Sequence, residues 1–284
     1  MIVITGATGQ LGSRIVDQVL QRMAATELGV SVTDVTKAAD LEARGVRVRR
    51  GDFTDPATLT HAFEGADQVL VISAAIRGAG AVDANLAAID AAVAAGARRI
   101  LYTSHQGAAK DSLFPPMITH ARTEQHLAAT GVPWLALRNG FYSSTLTYYL
   151  DQALTSGILA VPADAPVSWT GHDDLATAAA TLLTTSSAFS GPTPPLTASS
   201  TLDFAAVAAI ASEITGREIR HVVTDDEEWV ASAVERGLPR IAAEFTLGMF
   251  RAARRGEFAA TDPTLEKLTG HSSETVRTML ERTL

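Results

Sequence analysis

Met1-Ile2-Val3-Ile4-Thr5-Gly6-Ala7-Thr8-Gly9-Gln10-Leu11-Gly12 opens the chain. The apolar, β-branched run Ile2 to Thr5 reads as a buried strand, and Gln10 to Arg22 reads as a helix, with glycines between them. A strand that turns through glycines into a helix leaves the first N–H groups of that helix without backbone partners, aimed at any anion in front of them. Gly6 permits the tight turn, Gly9 lets backbone N–H groups approach a pyrophosphate, and Gly12 lets the helix pack against the strand. Thr8, Gln10 and Leu11 complete that cradle. The order of strand, loop and helix therefore implies a dinucleotide site.

Working outward, short β-branched runs alternate with Ala- and Leu-rich segments of helical period. The strands expected are Ile2 to Thr5, Leu28 to Val32, Val46 to Arg49, Gln68 to Ser73, Arg99 to Thr103 and Trp134 to Leu137. Helices are expected at Gln10 to Arg22, Pro56 to Glu64, Asp83 to Ala95 and Thr119 to Ala129. Asp55 before Pro56 looks like an N-cap with proline at the first helical position, and Gly65 and Gly96 sit where helices should stop. This is an α/β pattern: a Rossmann-type doubly wound parallel sheet over residues 1–150.

Beyond that the order loosens. Helices are expected at Asp173 to Thr185, Asp203 to Thr215, Asp226 to Arg236 and Arg240 to Arg254, with short strands near Pro195 to Thr197 and Ile219 to Val223. Ser186 to Thr201 reads as an ordinary connection. Residues 151–284 are expected to form a smaller, mostly helical cap over the carboxyl edge of the sheet, making the substrate cleft without being an independent domain.

Composition narrows the partners. Of 284 residues, 46% are apolar and 19% charged, which suits a buried core. The net charge of −8, with Lys and Arg scattered, argues against nucleic acid, whose backbone needs a basic face. The absence of cysteine excludes disulfides and thiolate metal sites. No apolar run approaches a membrane span, and the first residues lack the features of a signal peptide. A cytoplasmic setting is expected, without membrane contact, and a homo-oligomer is compatible with the sequence.

Further motifs follow the strands: Gly51-Asp52-Phe53, Tyr102-Thr103-Ser104, His120-x-x-Thr123-Glu124, and Leu137-Arg138-Asn139-Gly140-Phe141-Tyr142. With the Gly-x-x-Gly-x-x-Gly spacing they resemble the NmrA-like branch of the atypical short-chain dehydrogenases/reductases, most of all its NAD(P)H:quinone oxidoreductase members. The resemblance runs nearly end to end, strongest up to Tyr142. It implies that Asp52 and Phe53 border the adenine, that Ser73 and Ala74 border the ribose and pyrophosphate, and that Asn139, Gly140 and Phe141 lie on the nicotinamide side. For Asp52 the plain alternative is a turn acceptor.

Relatives that use NADP carry an Arg after the second strand, where this chain has Val32-Thr33-Asp34-Val35-Thr36-Lys37. Asp34 could accept from an unphosphorylated ribose and repel a phosphate, while Lys37 could neutralise one. NAD(H) is therefore expected over NADP(H), unless Asp34 only caps the next helix.

The Tyr-x-x-x-Lys pair of ordinary short-chain dehydrogenases aligns here with His120 and Glu124. His120 is then the candidate proton donor or substrate contact, Glu124 the group that orients it from one turn away, and Ser104 a substrate-binding hydroxyl at a strand end. Each has a plainer reading as a solvated or strand-ending residue. Tyr142, Trp169 and Trp229, with Phe141, Tyr148 and Tyr149, could line a flat aromatic pocket, though aromatics in a core are commonly packing. His172-Asp173-Asp174 reads as a helix start rather than a metal site, and Asp225-Asp226-Glu227-Glu228 as acidic first-turn residues. His61, His126 and His271 have no partner that the sequence identifies.

These features imply an NAD(P)H-dependent oxidoreductase acting on a quinone or related polycyclic aromatic. Two alternatives remain: a tailoring oxidase or monooxygenase of an aromatic natural product, with the dinucleotide only bound, and a non-catalytic dinucleotide-sensing regulator. Loss of the Tyr-Lys pair is compatible with the first function, because a quinone oxyanion can be stabilised by backbone donors or protonated through water, and it also fits a binding protein with no turnover.

Overall fold

The computed structural model describes residues 1–76, 78, 80–186 and 188–284. Along the first half, strands β1 (Ile2–Thr5), β2 (Leu28–Val32), β3 (Arg47–Arg50), β4 (Gln68–Val71), β5 (Arg99–His105) and β6 (Trp134–Asn139) alternate with helices. These helices are α1 (Gln10–Leu20), α2 (Ala39–Ala43), α3 (Pro56–Phe63), α4 (Gly80–Ala94) and α5 (Pro115–Ala129). Then come β7 (Phe141–Tyr142), α6 (Thr145–Ser156), β8 (Ile158–Pro162), β9 (Trp169–Thr170), α7 (His172–Thr184) and β10 (Gly191–Pro192). The chain finishes with α8 (Phe204–Thr215), β11 (Arg220–Thr224), α9 (Asp226–Glu235), α10 (Arg240–Arg254), α11 (Thr264–Thr269) and α12 (Val276–Thr283).

The main sheet runs β10-β6-β5-β4-β1-β2-β3, and its paired strands are parallel. The order reverses between β1 and β4, which opens the crevice where ligands of doubly wound sheets bind. The expected strands and helices of the first half are all present, most with boundaries moved by a few residues, since terminal turns depend on partners a local pattern does not contain. β5 is longer than expected, ending at His105, because each of its last residues pairs with β6, down to His105 opposite Asn139.

One face of the sheet is covered by α1, α7 and α11, packing Ile15, Val16, Leu175, Ala179 and Leu265 onto Ile4, Val30 and Leu70. α3, α4 and α5 cover the other, with Phe63, Ile89, Ala92 and Leu127 against Val69, Ile100 and Tyr102. Alanine on α4 and α7 lets these helices lie close to the strands.

The second half does more than cap the cleft. α7 packs along α1, and β10 adds an edge strand beside β6, so the chain after residue 150 returns to the main layer. That layer needs α7 because Val16 and Leu11 would otherwise face water. β10 spans Gly191–Pro192 rather than Pro195 to Thr197, whose Leu196 instead bridges Asn139. The cap proper has its own core of Trp169, Phe204, Trp229, Phe250 and Phe258 around the parallel pair β8–β11. α6 and β8 carry no strong sequence signal and were not anticipated. No helix among the described residues is long and apolar enough to cross a membrane.

Candidate active site

The glycine loop is shaped by steric limits that can be read directly. Gly6 holds a left-handed φ of +59°, and a Cβ placed on Gly12 would lie 2.1 Å from the Gly6 carbonyl oxygen. Gly12 thus packs against the loop itself, closing the turn. Ile72 N–H donates to Thr5 Oγ1 at 2.9 Å, tying the ends of β4 and β1 together beneath the loop. α1 starts at Gln10 with no side-chain cap and no acidic residue in its first turn. Gly6, Thr8, Gly9 and Gln10 are exposed, while Leu11 and Gly12 are buried beneath them. An open helix start with no carboxylate to repel it fits the pyrophosphate of a dinucleotide.

Around the expected ribose, the loop after β4 is anchored by side chains from neighbouring elements. Ser73 N–H donates to Thr103 Oγ1 at 2.8 Å, and Ala74 N–H to Asn85 Oδ1 at 2.9 Å. Asp52 Oδ1 accepts from Thr54 N–H at 2.9 Å and Thr54 Oγ1 at 2.7 Å, a turn-acceptor arrangement, and Phe53 packs beside the α3–α4 core. Those bonds hold the Asp52 carboxyl below the usual range.

Asp34 serves its own turn through one carboxylate oxygen. Its Oδ1 accepts from Thr36 N–H at 3.0 Å and from Thr36 Oγ1 at 2.6 Å, capping the short turn that carries the exposed Lys37 and lowering the carboxyl pKa. The capping alternative is the one observed, so the reason for preferring NAD(H) loses its footing.

Ser104 and Glu124 are brought together, but not with His120. Ser104 Oγ donates to Glu124 Oε1 at 2.6 Å, and Arg138 grips the same carboxylate through Nε at 3.0 Å and Nη2 at 2.7 Å. Both Ser104 and Glu124 are buried, so their hydrogen bonds brace β5, α5 and β6. The expectation that Glu124 orients His120 therefore fails: although both residues lie on α5, the carboxylate turns inward to Arg138.

His120 is oriented instead by Tyr102, whose Oη lies 2.8 Å from Nδ1. Asn85 Nδ2 donates to that phenol oxygen at 3.2 Å. Burial pushes the phenol pKa up and brings the His120 imidazole down to about 4. His120 lines a cleft of about 300 Å³ together with Ser73, Ala74, Asn85, Pro115 and Phe245. Expected cofactor-side and catalytic-side residues thus meet in one cleft. Tyr102 and Asn85 had no assigned role from sequence, although an Asn inside an Ala-rich helix was a usable signal.

Asn139 is buried, and its Oδ1 is sealed from solvent without a hydrogen-bond donor. Gly140 has a packing reason, since a Cβ there would lie 2.1 Å from Thr170 Oγ1. Phe141 is enclosed by Phe258 at 5.1 Å and by Trp169 and His105 at 5.4 Å between ring centroids. Tyr142 stacks on His172 at 4.3 Å, on the α1–α7 side of the sheet.

Of the two tryptophans only Trp229 lines an open groove, one of about 1080 Å³ that Tyr148 and Tyr149 also line. Trp169 is 2% exposed, with Nε1 donating to the Leu202 carbonyl at 2.9 Å. Trp229 packs on Phe250 at 5.9 Å and edges a separate groove between α6 and α9. Both belong to the core of the cap, which with only short strands needs large side chains, and Trp229 also faces that groove.

Comparison with known proteins agrees with this geometry. A family model described as NAD(P)H-binding matches residues 6–184. Quinone oxidoreductase 2 of Escherichia coli is 30% identical over 279 residues, 97% of this chain and 96% of the relative. Its structure with NADPH superposes with a TM-score of 0.94, covering 100% of this chain and 99% of that one. An NmrA-like oxidoreductase of Aspergillus flavus is 26% identical over 278 residues, covering 94% and 89% of the two chains. The triphenylmethane reductase of Citrobacter sp., solved with NADP(H), has a TM-score of 0.92 at 30% identity and full coverage of both chains. With its glycine loop, its parallel sheet and these full-length similarities, the chain belongs to the NAD(P)H-binding family, among the NmrA-like oxidoreductases.

Proposed function

We propose that this oxidoreductase reduces a quinone or a related conjugated aromatic in the cleft between the Ser73–Ala74 loop and His120. The observation that carries the reading is the meeting of those two features in one cleft, at the carboxyl edge of a sheet whose glycine loop fits a dinucleotide. Relatives named for quinones and for triphenylmethane dyes support it, since both substrate types are conjugated electrophiles that accept a hydride. Bound NAD(P)H supplies that hydride.

The chain's own residues supply orientation and charge stabilisation. Thr103 and Asn85 hold the Ser73–Ala74 loop through its backbone N–H groups. His120, neutral at pH 7 and backed by Tyr102, offers a neutral donor to the acceptor oxygen. Glu124, Arg138 and Ser104 act from behind, holding α5 on the sheet. Phe114, Phe141 and Phe258, with centroids 5.1 to 6.2 Å apart, form an apolar wall that excludes water from the reacting region.

For the dinucleotide, we place NADPH ahead of NADH. Arg49 turns toward α3, donating to the His61 carbonyl, so by strand alternation Arg50 projects on the opposite face. Arg50 pairs in register with Val32, two residues before Asp34, and the turn bearing Lys37 packs on β3. Its ion pair with Asp55 is long, at 3.9 Å, and half exposed, which leaves the guanidinium available to a phosphate.

The test is anaerobic oxidation of NADPH and NADH with a panel of benzoquinones and naphthoquinones, with product quantified. Stoichiometric hydroquinone supports the proposal. Tight dinucleotide binding with no turnover across the panel rejects it in favour of a sensing protein.

A further inference from the structure

His105, at the last position of β5, belongs to none of the motifs singled out in the sequence, yet its ring faces His120 at 6.2 Å between centroids with an interplanar angle of 25°. Phe141 and Phe258 meet it edge-on, each at 5.4 Å. The segment that follows is tightly held. Gln106 N–H donates to the Asn139 carbonyl at 2.9 Å, and its side chain is engaged by the Phe258 carbonyl and Ser168 Oγ.

Hydrogen bonding determines where the single proton of each neutral imidazole sits. Gly107 N–H donates to His105 Nδ1 at 3.1 Å, so that nitrogen is an acceptor and the proton lies on Nε2. For His120 the inference runs through two residues. Asn85 Oδ1 accepts from Ala74 N–H, which leaves Nδ2 as the donor to Tyr102 Oη. Tyr102 Oη lies 2.8 Å from His120 Nδ1, and we assign its proton to that nitrogen rather than to the neighbouring Thr123 hydroxyl, which puts the proton of the His120 ring on Nε2 as well. Neither Nε2 has a hydrogen-bond partner among the described residues, and neither is among the sealed, unpartnered polar atoms.

We infer that His105 and His120 form a pair of Nε2–H donors that together receive the carbonyl oxygen of the hydride acceptor. Burial depresses both imidazole pKa values, and the neighbouring His120 lowers that of His105 further, so two neutral donors rather than two cations face the oxygen. During reduction the acceptor gains an electron pair with the hydride, from the dinucleotide that is thereby oxidised. The hydride adds to the ring carbon β to the held carbonyl, the C=C π pair shifts toward that carbonyl and its π pair moves onto oxygen; the two N–H groups hold this oxyanion until a solvent proton makes it a hydroxyl, and the added carbon then loses a proton to solvent as the second carbonyl oxygen gains one, giving the hydroquinone. Neutral donors suit this step because they stabilise charge as it develops without costing the desolvation of a resident ion.

This inference rests on the proposed hydride-acceptor cleft, and its test separates the two. Long-range ¹H–¹⁵N spectra of the histidine-labelled protein should show both residues as Nε2–H tautomers at pH 7. Titration with 2-hydroxy-1,4-naphthoquinone, an anion at that pH, should shift both Nε2 resonances. His105→Phe keeps the ring packing and removes the donor; it should lower kcat for quinone reduction on the order of a hundredfold with dinucleotide Kd unchanged, and His105→Gln should recover part of it. An Nδ1–H tautomer at His105, an unmoved His105 resonance, or wild-type kcat in His105→Phe overturns the pair. If the resonances move but no quinone is turned over by the wild type, the donor pair stands and the proposed activity fails.

Discussion

Glu124 receives the Arg138 guanidinium at two points, with Nε on Oε1 at 3.0 Å and Nη2 on Oε2 at 2.7 Å, while Ser104 Oγ donates to Oε1 at 2.6 Å. Glu124 is 7% exposed, so the pair stays firm in a poorly hydrated setting. Glu124→Ala leaves the guanidinium without its carboxylate and should destabilise the fold by about 3 kcal/mol in urea unfolding. The tautomer of His120 should be unchanged, because Tyr102 sets it; a His120 resonance that follows this substitution would restore Glu124 as its orienter.

Gly12→Ala places a methyl group 2.1 Å from the Gly6 carbonyl oxygen. Relieving that overlap distorts the loop at a cost of about 1–3 kcal/mol. Dinucleotide Kd, read by quenching of intrinsic fluorescence, should rise roughly tenfold. An unchanged Kd would mean that the loop does not hold the pyrophosphate.

Stability should fall with pH below the ordinary histidine range. The folded pKa of His120 is about 4, below the unfolded value of 6.5, and that of His105 is lowered as well. Between these values the unfolded chain binds protons that the folded chain refuses, so stability present above pH 6.5 is lost as pH falls toward 4. Each histidine contributes a slope of at most about 1.4 kcal/mol per pH unit. His120→Asn should flatten the curve in that window, as measured by urea midpoints.

Trp169 is a packing residue, so Trp169→Ala should cost about 3–5 kcal/mol of stability. Trp169→Phe retains most of the ring volume and should leave KM for quinones unchanged. A large rise in KM in a variant of near-native stability would return Trp169 to the substrate site.

If Lys37 and Arg50 together meet the 2′-phosphate, Lys37→Ala and Arg50→Ala should each weaken NADPH binding by about tenfold and leave NADH binding unchanged. Equal effects on both dinucleotides in titration calorimetry would refute that placement.

The nucleotide-binding half was legible because its signals are local. Alternating β-branched and alanine-rich runs mark β1 to β6 and their helices, and Gly6, Gly9 and Gly12 announce a turn that only glycine tolerates. Around the site, His120 was visible through its motif, whereas its true partner Tyr102 was not: the two lie on different elements, and only the packing of α5 on β5 brings the rings together. Glu124 misled for the same reason. One-turn spacing allows it to reach His120, but Arg138 on β6 offers an opposite charge. Trp169 looked like a pocket residue beside Trp229, Tyr148 and Tyr149 because composition cannot separate a lining from a core.

The chain by itself determined the sheet, the crossover helices and the anion-binding loop, since short-range sterics and hydrophobic period suffice for each. Tertiary structure alone decided that Glu124 turns to Arg138, that α7 and β10 return to the main layer, and that His105 faces His120. Those outcomes depend on contacts between residues far apart in sequence, where competing partners for one carboxylate or one ring are resolved only by packing.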